Sequence, residues 1–421
     1  MNAPKRVVVV GAGIAGLCVA YYLRRRDVDV TLLDAERVGS RNASSYGNGG
    51  WICPSQAGPL PEPGLTVAAL QALMAGTSPL YFRPTYLPRL APWLARFWTY
   101  CNQRDFDRGT AALAALSRRT FDLVDGMVAD GIDFELYKSG LVVASESERE
   151  LRKFLDSLEG MRAHGFTLPH EVIVGDALHV LEPALSPRAR AGLHIGEHWH
   201  VRPQSMTVGI ARRLREMGVE IHEGVRVEGF DAIDGAVRAL YTAAGASSAD
   251  AFVLAAGSWT TPLARKLGVE IPMEPGKGYS CLVKPKRMPR HGILFADVHA
   301  GVSPLGDRLK IAGTMEFSGY NLEVDRARLE NVLRMASDFI ELETPDYEDA
   351  WAGLRPMTAD GLPILDWAGS YRNCYLATGY SMLGMTVSQP AGEAMAGMVV
   401  SGERPALFEP FRCDRFGSRA A

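Results

Sequence analysis

The run RVVVVGAGIAG, Arg6 to Gly16, constrains this chain more than any other stretch. Four consecutive valines favour a strand buried on both faces. Gly11, Gly13 and Gly16 follow at G-x-G-x-x-G spacing and open a helical pattern that runs to about Arg25. Val28 to Leu33 reads as the next strand and ends at Asp34. In such a unit Gly11 makes the tight turn, Gly13 admits a pyrophosphate, and Gly16 lets helix and strand pack closely. Ile14 and Ala15 start the helix, where free backbone N–H groups attract phosphate, and Asp34, followed by Ala35, is placed to accept hydrogen bonds from a ribose. The unit predicts a dinucleotide site.

The 421 residues suffice for two or three domains. A net charge of −3 without a basic block argues against nucleic acid as a partner. The six cysteines are scattered with no C-x-x-C, which points to reduced thiols in the cytoplasm rather than a disulfide framework or a cysteine metal site. The N-terminal apolar run is broken by three glycines, which argues against a signal peptide, and no segment reaches the ~18 unbroken apolar residues of a membrane span.

No second G-x-G-x-x-G occurs. Flavoenzymes reduced by NAD(P)H usually need a second nucleotide fold, so one tightly held dinucleotide, FAD, reduced directly by substrate, is favoured. SSYGNGG offers Ser44, Ser45, Asn48, Gly49 and Gly50 as a loop along the cofactor, or as an ordinary turn. DAFVLAAGSW reads as a buried strand that brings Ala256, Gly257 and Trp259 to the dinucleotide, or as a plain core strand. GVEIHEGVRVEGF reads as a strand after a helix over Pro203 to Met217, with the backbone around Val225 to Val227 clamping the adenine.

The dinucleotide elements are assigned to 1–76, 203–270 and 350–411, and a second domain to 77–202 and 271–349. Strands expected over Phe134–Ser145, Ala191–Arg202, Met273–Val283, Ile293–Val302 and Leu309–Glu316 fit a mostly antiparallel sheet covered by helices at Thr110–Asp130 and Glu146–His164.

WAGLRPMTADGLPILDW contains Arg355, which either forms a bidentate pair with a substrate carboxylate or pairs structurally with Asp360 or a backbone carbonyl. His194, His198 and His200 alternate on an expected strand face, a spacing that suits a metal, a polar strand face or pocket lining; no supporting acid or cysteine cluster accompanies them, and no metal is expected. Tyr279, in GKGYS, reaches a substrate or simply packs. Leu90, Trp93, Leu94 and Phe97 follow helical spacing beside Arg89 and Arg96, as in a core or lid helix, or in a membrane-surface helix that meets a quinone.

ATGYSMLGMT, Ala377 to Thr386, places Gly379, Tyr380, Ser381, Met382, Leu383, Gly384, Met385 and Thr386 between a strand end and a helical run. Glycines at a helix start let another molecule approach unsatisfied N–H groups.

Together VVVVGAGIAGLCVAYYL, SSYGNGG, IPMEPGKGYS, GLRPMTADGLPIL and GYSMLGMT resemble, in that order, the D-amino-acid dehydrogenase family of FAD-dependent amine oxidoreductases, in the superfamily of D-amino-acid oxidase and glycine oxidase. The resemblance spans nearly the whole chain. It implies an α/β fold: a glutathione-reductase-type, Rossmann FAD-binding domain with a second α+β substrate domain on a mostly antiparallel sheet. It implies FAD, hydride transfer to flavin N5, and oxidation of a D-amino acid to an imine that water converts to a 2-oxo acid and ammonia; the short loops carry no cysteine or histidine suited to a covalent flavin link, so non-covalent binding is expected. Arg355 matches the family's GLRP arginine near flavin and substrate. Tyr380 stands where family members often carry histidine, on the expected substrate side with Tyr279 and His200. The loop Gly379–Thr386 is expected to face the pyrimidine end of the flavin, where its N–H groups stabilise charge at N1 and the C2 carbonyl. A quinone-type or other non-oxygen acceptor is expected, with the protein cytoplasmic or peripheral on the inner face of a membrane. The alternatives are an oxidase of glycine, sarcosine, proline or hydroxyproline-like substrates using oxygen, for which Lys277 is the near candidate for a flavin-edge charge, and a flavin-binding subunit of a larger complex.

Overall fold

The valine run becomes the strand Arg6–Val10, and a computed structural model describes residues 3–65 and 80–417 around it. Asp29–Asp34 pairs with it on one side and Ala251–Leu254 on the other, both parallel. Glu220–Glu223 extends the sheet beyond Asp29–Asp34, and Cys374–Thr378 beyond Ala251–Leu254, again in parallel; Ile364–Trp367 closes that edge antiparallel. Alternate residues serve opposite cores. Val7, Val9, Val30, Leu32 and Val253 face helices Ile14–Arg24, Pro203–Glu216 and Gly384–Ser401. Val8, Val10, Phe252 and Leu254 face the other way, toward Val237, Leu240, Ala264 and Leu267. Burial on both faces is what the unbroken apolar run anticipates.

GVEIHEGVRVEGF is not one strand. Gly224, at φ 75°, turns the chain, so Glu220–Glu223 stays in the parallel sheet while Val227–Ile233 joins a separate antiparallel ribbon with Ala236–Thr242 and Gly245–Ser248.

A second, larger sheet runs in the order Glu348–Thr358, Met273–Val283, Arg308–Phe317, Ala300–Leu305, Gly292–Phe295, Leu141–Ser145, Ala191–Ile195 and Ile173–Val174. Most of its pairings are antiparallel; Leu141–Ser145 pairs parallel with Gly292–Phe295, and Leu80–Phe82 pairs parallel with Arg308–Phe317. Glu348–Thr358, grouped by sequence with the dinucleotide elements, pairs along its length with Met273–Val283. The boundary placed at residue 76 lies outside the described residues.

Two strands expected to be continuous are broken. Phe134–Ser145 divides into Leu136–Tyr137 and Leu141–Ser145, and Ala191–Arg202 into Ala191–Ile195 and Trp199–Val201. In each case the first and second halves enter different sheets. The helical stretch at Thr110–Asp130 is two helices, Gln103–Ser117 and Thr120–Ala129. Their Ala112, Leu113, Leu116, Leu123, Val124 and Met127 join the core of the parallel sheet, so they mainly cover that layer, while Ala114 packs with the second sheet. Glu148–Ala163 does pack on the second sheet, through Leu151, Leu155 and Leu158 against Leu141, Val143 and Leu193. No helix among the described residues is long and apolar enough to cross a membrane.

Helices Ile14–Arg24 and Gly384–Ser401 touch backbone to backbone at Gly392, where a Cβ would lie 2.8 Å from the Cys18 carbonyl carbon and 3.0 Å from the Val19 nitrogen. Gly392→Val therefore forces the two helices apart. We expect it to cost about 1–3 kcal/mol, lowering the thermal midpoint by several degrees in a melt monitored by circular dichroism.

Candidate functional site

The parallel strands Arg6–Val10, Ala251–Leu254 and Cys374–Thr378 all end at one edge, and the loops that follow them open onto one cavity of about 1110 Å³. Helix Ile14–Arg24 begins there. Its N-cap residue, Gly13, has no side chain to cap it and no acid lies in its first turn; Ser45 from the neighbouring loop takes the Ile14 N–H, and Gly13, Ile14 and Ala15 line the cavity. Helix Gly384–Ser401 begins there too, equally without a capping side chain or an acid, lined by Leu383, Gly384 and Met385. Two helix N-termini on one cavity give it a positive backbone potential at two places.

Gly11 has φ 110°, and a Cβ on it would lie 2.5 Å from the Ala255 carbonyl oxygen, so only glycine passes between the strands. Gly16 is absent from the cavity wall; a Cβ there would meet the Gly11 carbonyl oxygen at 1.8 Å, so its part is the helix–strand contact. The Asp34 carboxylate accepts from Ala12 N–H at 2.5 Å and Glu36 N–H at 2.7 Å. Burial raises its pKa, and the two N–H groups pull it back. Ala35, Val225, Arg226, Val227, Ala256, Gly257 and Trp259 continue the wall at this end.

Ser44, Ser45, Asn48, Gly49 and Gly50 form the floor between the two ends. Ser45 Oγ accepts from Ile14 N–H at 3.1 Å, Ser44 Oγ donates to the Leu354 carbonyl, and Asn48 ties its own turn by accepting from Gly50 N–H at 2.8 Å. The loop Gly379–Thr386 closes the far side, with Gly379, Tyr380, Ser381, Met382, Leu383, Gly384, Met385 and Thr386 all on the wall. Thr386 Oγ1 accepts from Cys53 N–H at 3.0 Å, and Ser381 N–H donates to the Pro356 carbonyl at 3.1 Å.

Arg355 reaches the cavity from the second sheet. Its Nη1 donates to the Thr314 carbonyl at 2.9 Å and lies 3.7 Å from Met315 Sδ, and it forms no ion pair with an acid among the described residues. Asp360, the structural partner considered from sequence, pairs with Arg415 at 2.7 Å instead. Desolvation lowers the Arg355 pKa to about 10, so it stays cationic at neutral pH. A Cβ on Gly278 would meet the guanidinium at 2.3–2.4 Å, so this strand has no side chain where the arginine lies. Thr314 sits at φ 66°, a rare conformation for a β-branched residue, and strain of this kind gathers at functional sites.

The other candidates divide. Tyr279 lines the cavity, and its hydroxyl donates to Glu316 at 2.5 Å. Tyr380 also borders it, but its ring packs in the core cluster with Cys18, burial raises its pKa, and its hydroxyl has no hydrogen-bond partner among the described residues. His200 is not on the wall: its Nε2 lies 2.9 Å from the Pro304 carbonyl and its ring stacks on Tyr137. The three histidines share no face, because the strand breaks between them. His194 meets His291 edge-on, and His198 lies 2.7 Å from Ser55. Among the described residues no group of His, Cys, Asp or Glu is arranged to hold a metal. Lys277 is also off the wall, paired with Glu316 at 3.3 Å and bonded to the Glu323 carbonyl at 2.9 Å. The aromatic helix is Leu87–Tyr100; Leu90, Trp93 and Phe97 are buried and pack over the cavity with Met315, Phe317 and Met357. This packing fits a core or lid helix.

Sequence reasoning missed Trp51, Cys53, Thr314, Met315 and Trp351, all on the wall. The only sequence signal was glycine: Gly47 and Gly353 leave room for the Trp351 ring, and Gly301 for Trp51. The Cys53 thiol is pushed up by burial, which keeps it protonated and unreactive.

The profile of the family described as FAD dependent oxidoreductase matches residues 6–398. A D-amino acid dehydrogenase of Rhizorhabdus wittichii is 30% identical over 410 residues, 96% of this chain and 97% of its own. Another, of a Methylobacterium species (strain 4-46), is 30% identical over 429 aligned residues, covering 99% and 100%. Among solved structures, a glycine oxidase from Geobacillus kaustophilus superposes with a TM-score of 0.75 at 21% identity, covering 99% of both chains. An L-proline dehydrogenase from P. horikoshii gives 0.75 at 19%, covering 99% and 98%. These structures share the fold. The residues present fit FAD: two helix starts for its charged groups, glycine where the backbone must be approached, and an acid at the second strand end.

Asp34→Ala removes a charged acceptor at the end of the second parallel strand, beside the cavity. FAD affinity should fall about 10–100-fold, the loss of one or two charge-assisted hydrogen bonds, as read from flavin fluorescence on equilibrium dialysis; unchanged affinity would take Asp34 out of the site.

Proposed function

We infer the reaction from one premise: the chain belongs to the FAD dependent oxidoreductase family, and its cofactor is FAD. On that premise we propose that it oxidises a D-amino acid and passes the electrons to a quinone-type or other non-oxygen acceptor. Amino acid, water and oxidised acceptor give 2-oxo acid, ammonia and reduced acceptor. The observation that carries this is Arg355: a cation in the cavity wall with no acid partner among the described residues and most of its five donors unused. A recessed cation costs several kcal/mol, of order, until an anion joins it, and an amino-acid carboxylate supplies one in bidentate geometry.

Bound FAD supplies the two-electron acceptor for the carbon–hydrogen bond at Cα. The chain does the rest. Gly11, Gly13 and the helix start at Ile14 hold the pyrophosphate, Asp34 the ribose, and the backbone at Val225–Val227 the adenine. The second helix start, at Leu383–Met385, stabilises negative charge at the pyrimidine end. Arg355, steadied by the Thr314 carbonyl, fixes the carboxylate so that Cα faces the cofactor. The lid helix and the segment Leu80–Phe82 exclude water during the oxidation; hydrolysis of the imine needs no further catalytic side chain.

The name D-amino acid dehydrogenase carried by full-length relatives supports the D-configuration. The place of Lys277 favours a dehydrogenase: its charge is held by Glu316 off the cavity wall, so it cannot serve oxygen at the flavin edge. A soluble location, with or without peripheral membrane contact, accords with this reading.

Arg355→Leu should keep its FAD yet lose kcat/KM equivalent to about 2–5 kcal/mol, with little of the loss recovered at saturating substrate; loss of flavin instead would make the arginine structural. In stopped flow with the isolated chain, D-amino acids should bleach the flavin faster than L-enantiomers, and a quinone or phenazine dye should reoxidise it far faster than air-saturated buffer. Reoxidation by oxygen at the dye's rate, with peroxide formed in step with the 2-oxo acid, would make the protein an oxidase. No bleaching by the isolated chain would leave it a flavin-binding subunit.

A further inference from the structure

Beside Arg355 the cavity has a wall built from none of the segments assigned to the cofactor. Two stretches far apart in sequence meet there: Leu80–Phe82 with the helix Leu87–Tyr100 that soon follows it, and the strand Arg308–Phe317. Phe82 stacks on Phe317 with ring centroids 5.6 Å apart and planes 9° apart. Trp93 lies 5.1 Å from Phe97 and 5.3 Å from Phe317. The one polar atom on these rings, Trp93 Nε1, is already satisfied by the Met357 carbonyl at 3.1 Å. Met315, on the same wall, lies with its sulfur 3.7 Å from Arg355 Nη1, so the apolar surface begins at the cation.

We propose that the substrate's side chain is large and apolar or aromatic, and that Phe82, Trp93, Phe97, Met315 and Phe317 form the wall it packs against. This rests on Arg355 holding the substrate carboxylate. With the carboxylate there, the side chain has this wall within reach. A charged side chain would lose its water against rings that offer no partner. A methyl group would leave the wall uncovered and forgo the dispersion contacts. Among the described residues the one acid on the wall outside the adenosine end is Glu62, an exposed loop residue, which favours a cationic side chain only at the mouth. Rings and thioether suit an aryl or branched alkyl group, with Met315 able to adjust to its shape.

The test uses the FAD-loaded full chain and two independent series. In the first, non-oxidisable carboxylates perturb the flavin spectrum: phenylacetate and 4-methylvalerate should bind about 10–100-fold more tightly than acetate. In Phe82→Ala the phenylacetate advantage should shrink about tenfold while acetate binding holds. In the second, with a dye acceptor, kcat/KM should rank D-phenylalanine, D-leucine and D-methionine above D-alanine, and D-alanine above D-aspartate and D-lysine. Acetate binding as tightly as phenylacetate, or D-alanine, D-aspartate or D-lysine ranking first, would overturn the proposal. If no D-amino acid is oxidised, the reading of the reaction fails, and the carboxylate series still decides the wall. If Phe82→Ala fails to fold, the wild-type series decides alone.

Discussion

Everything at the site depends on two helices starting beside one sheet edge at N-cap residues that supply no capping side chain. A helix end is normally satisfied by a Ser, Thr, Asp or Asn at its N-cap, and this chain caps other helices that way, with Asn102, Ser147 and Asp325. Ile14–Arg24 and Gly384–Ser401 have Gly13 and Leu383 there instead. The parallel register of Arg6–Val10, Ala251–Leu254 and Cys374–Thr378 makes these ends coincide, because parallel strands all finish on the same side. Ligands of open α/β sheets gather at that carboxyl edge. Without the register, the two positive ends would face different solvent.

The second sheet adds one charge to this arrangement and then aligns it. Glu348–Thr358 carries Arg355, and the dinucleotide layer grips that strand from several sides. Ser44 and Ser258 both donate to the Leu354 carbonyl, Ser381 N–H donates to the Pro356 carbonyl, and Trp351 Nε1 donates to the Arg41 carbonyl at 2.6 Å. Behind the strand pair, Glu316 takes Lys277, Arg328 and the Tyr279 hydroxyl. A buried carboxylate so surrounded is pulled below its usual pKa despite desolvation. Its two cations are thereby neutralised, while Arg355 has no acid partner among the described residues and stays free to meet an anion.

What was legible in the sequence was local. Gly11, Gly13 and Asp34 act through turn geometry and strand ends within 24 residues of one another, so spacing alone carried them. Gly379 to Thr386 was legible for the same reason, as a glycine-flanked strand-to-helix turn. The histidines were misread because period-two alternation assumes a continuous strand, and the turn at Gly196–Glu197 sends His194 and His200 to different sheets. Tyr380 borders the cavity as expected, but its place in a loop does not say which way the ring turns; the apolar cluster around Cys18 takes much of it.

The residues that define the substrate side were illegible for a deeper reason. Thr314 and Met315 acquire a role only because Arg308–Phe317 and Glu348–Thr358 both pair with Met273–Val283, which brings Arg355 within hydrogen-bond distance of a carbonyl 41 positions away. Trp93 meets the Met357 carbonyl across 264 positions, and Trp351 meets Arg41 across 310. Such contacts leave no periodicity in the sequence. They leave only the shape of what is missing: glycine at 47, 278, 301 and 353, each where a Cβ would strike the ring or guanidinium that occupies its place. The cofactor site is therefore written in what its residues are, and the substrate site in where side chains are absent.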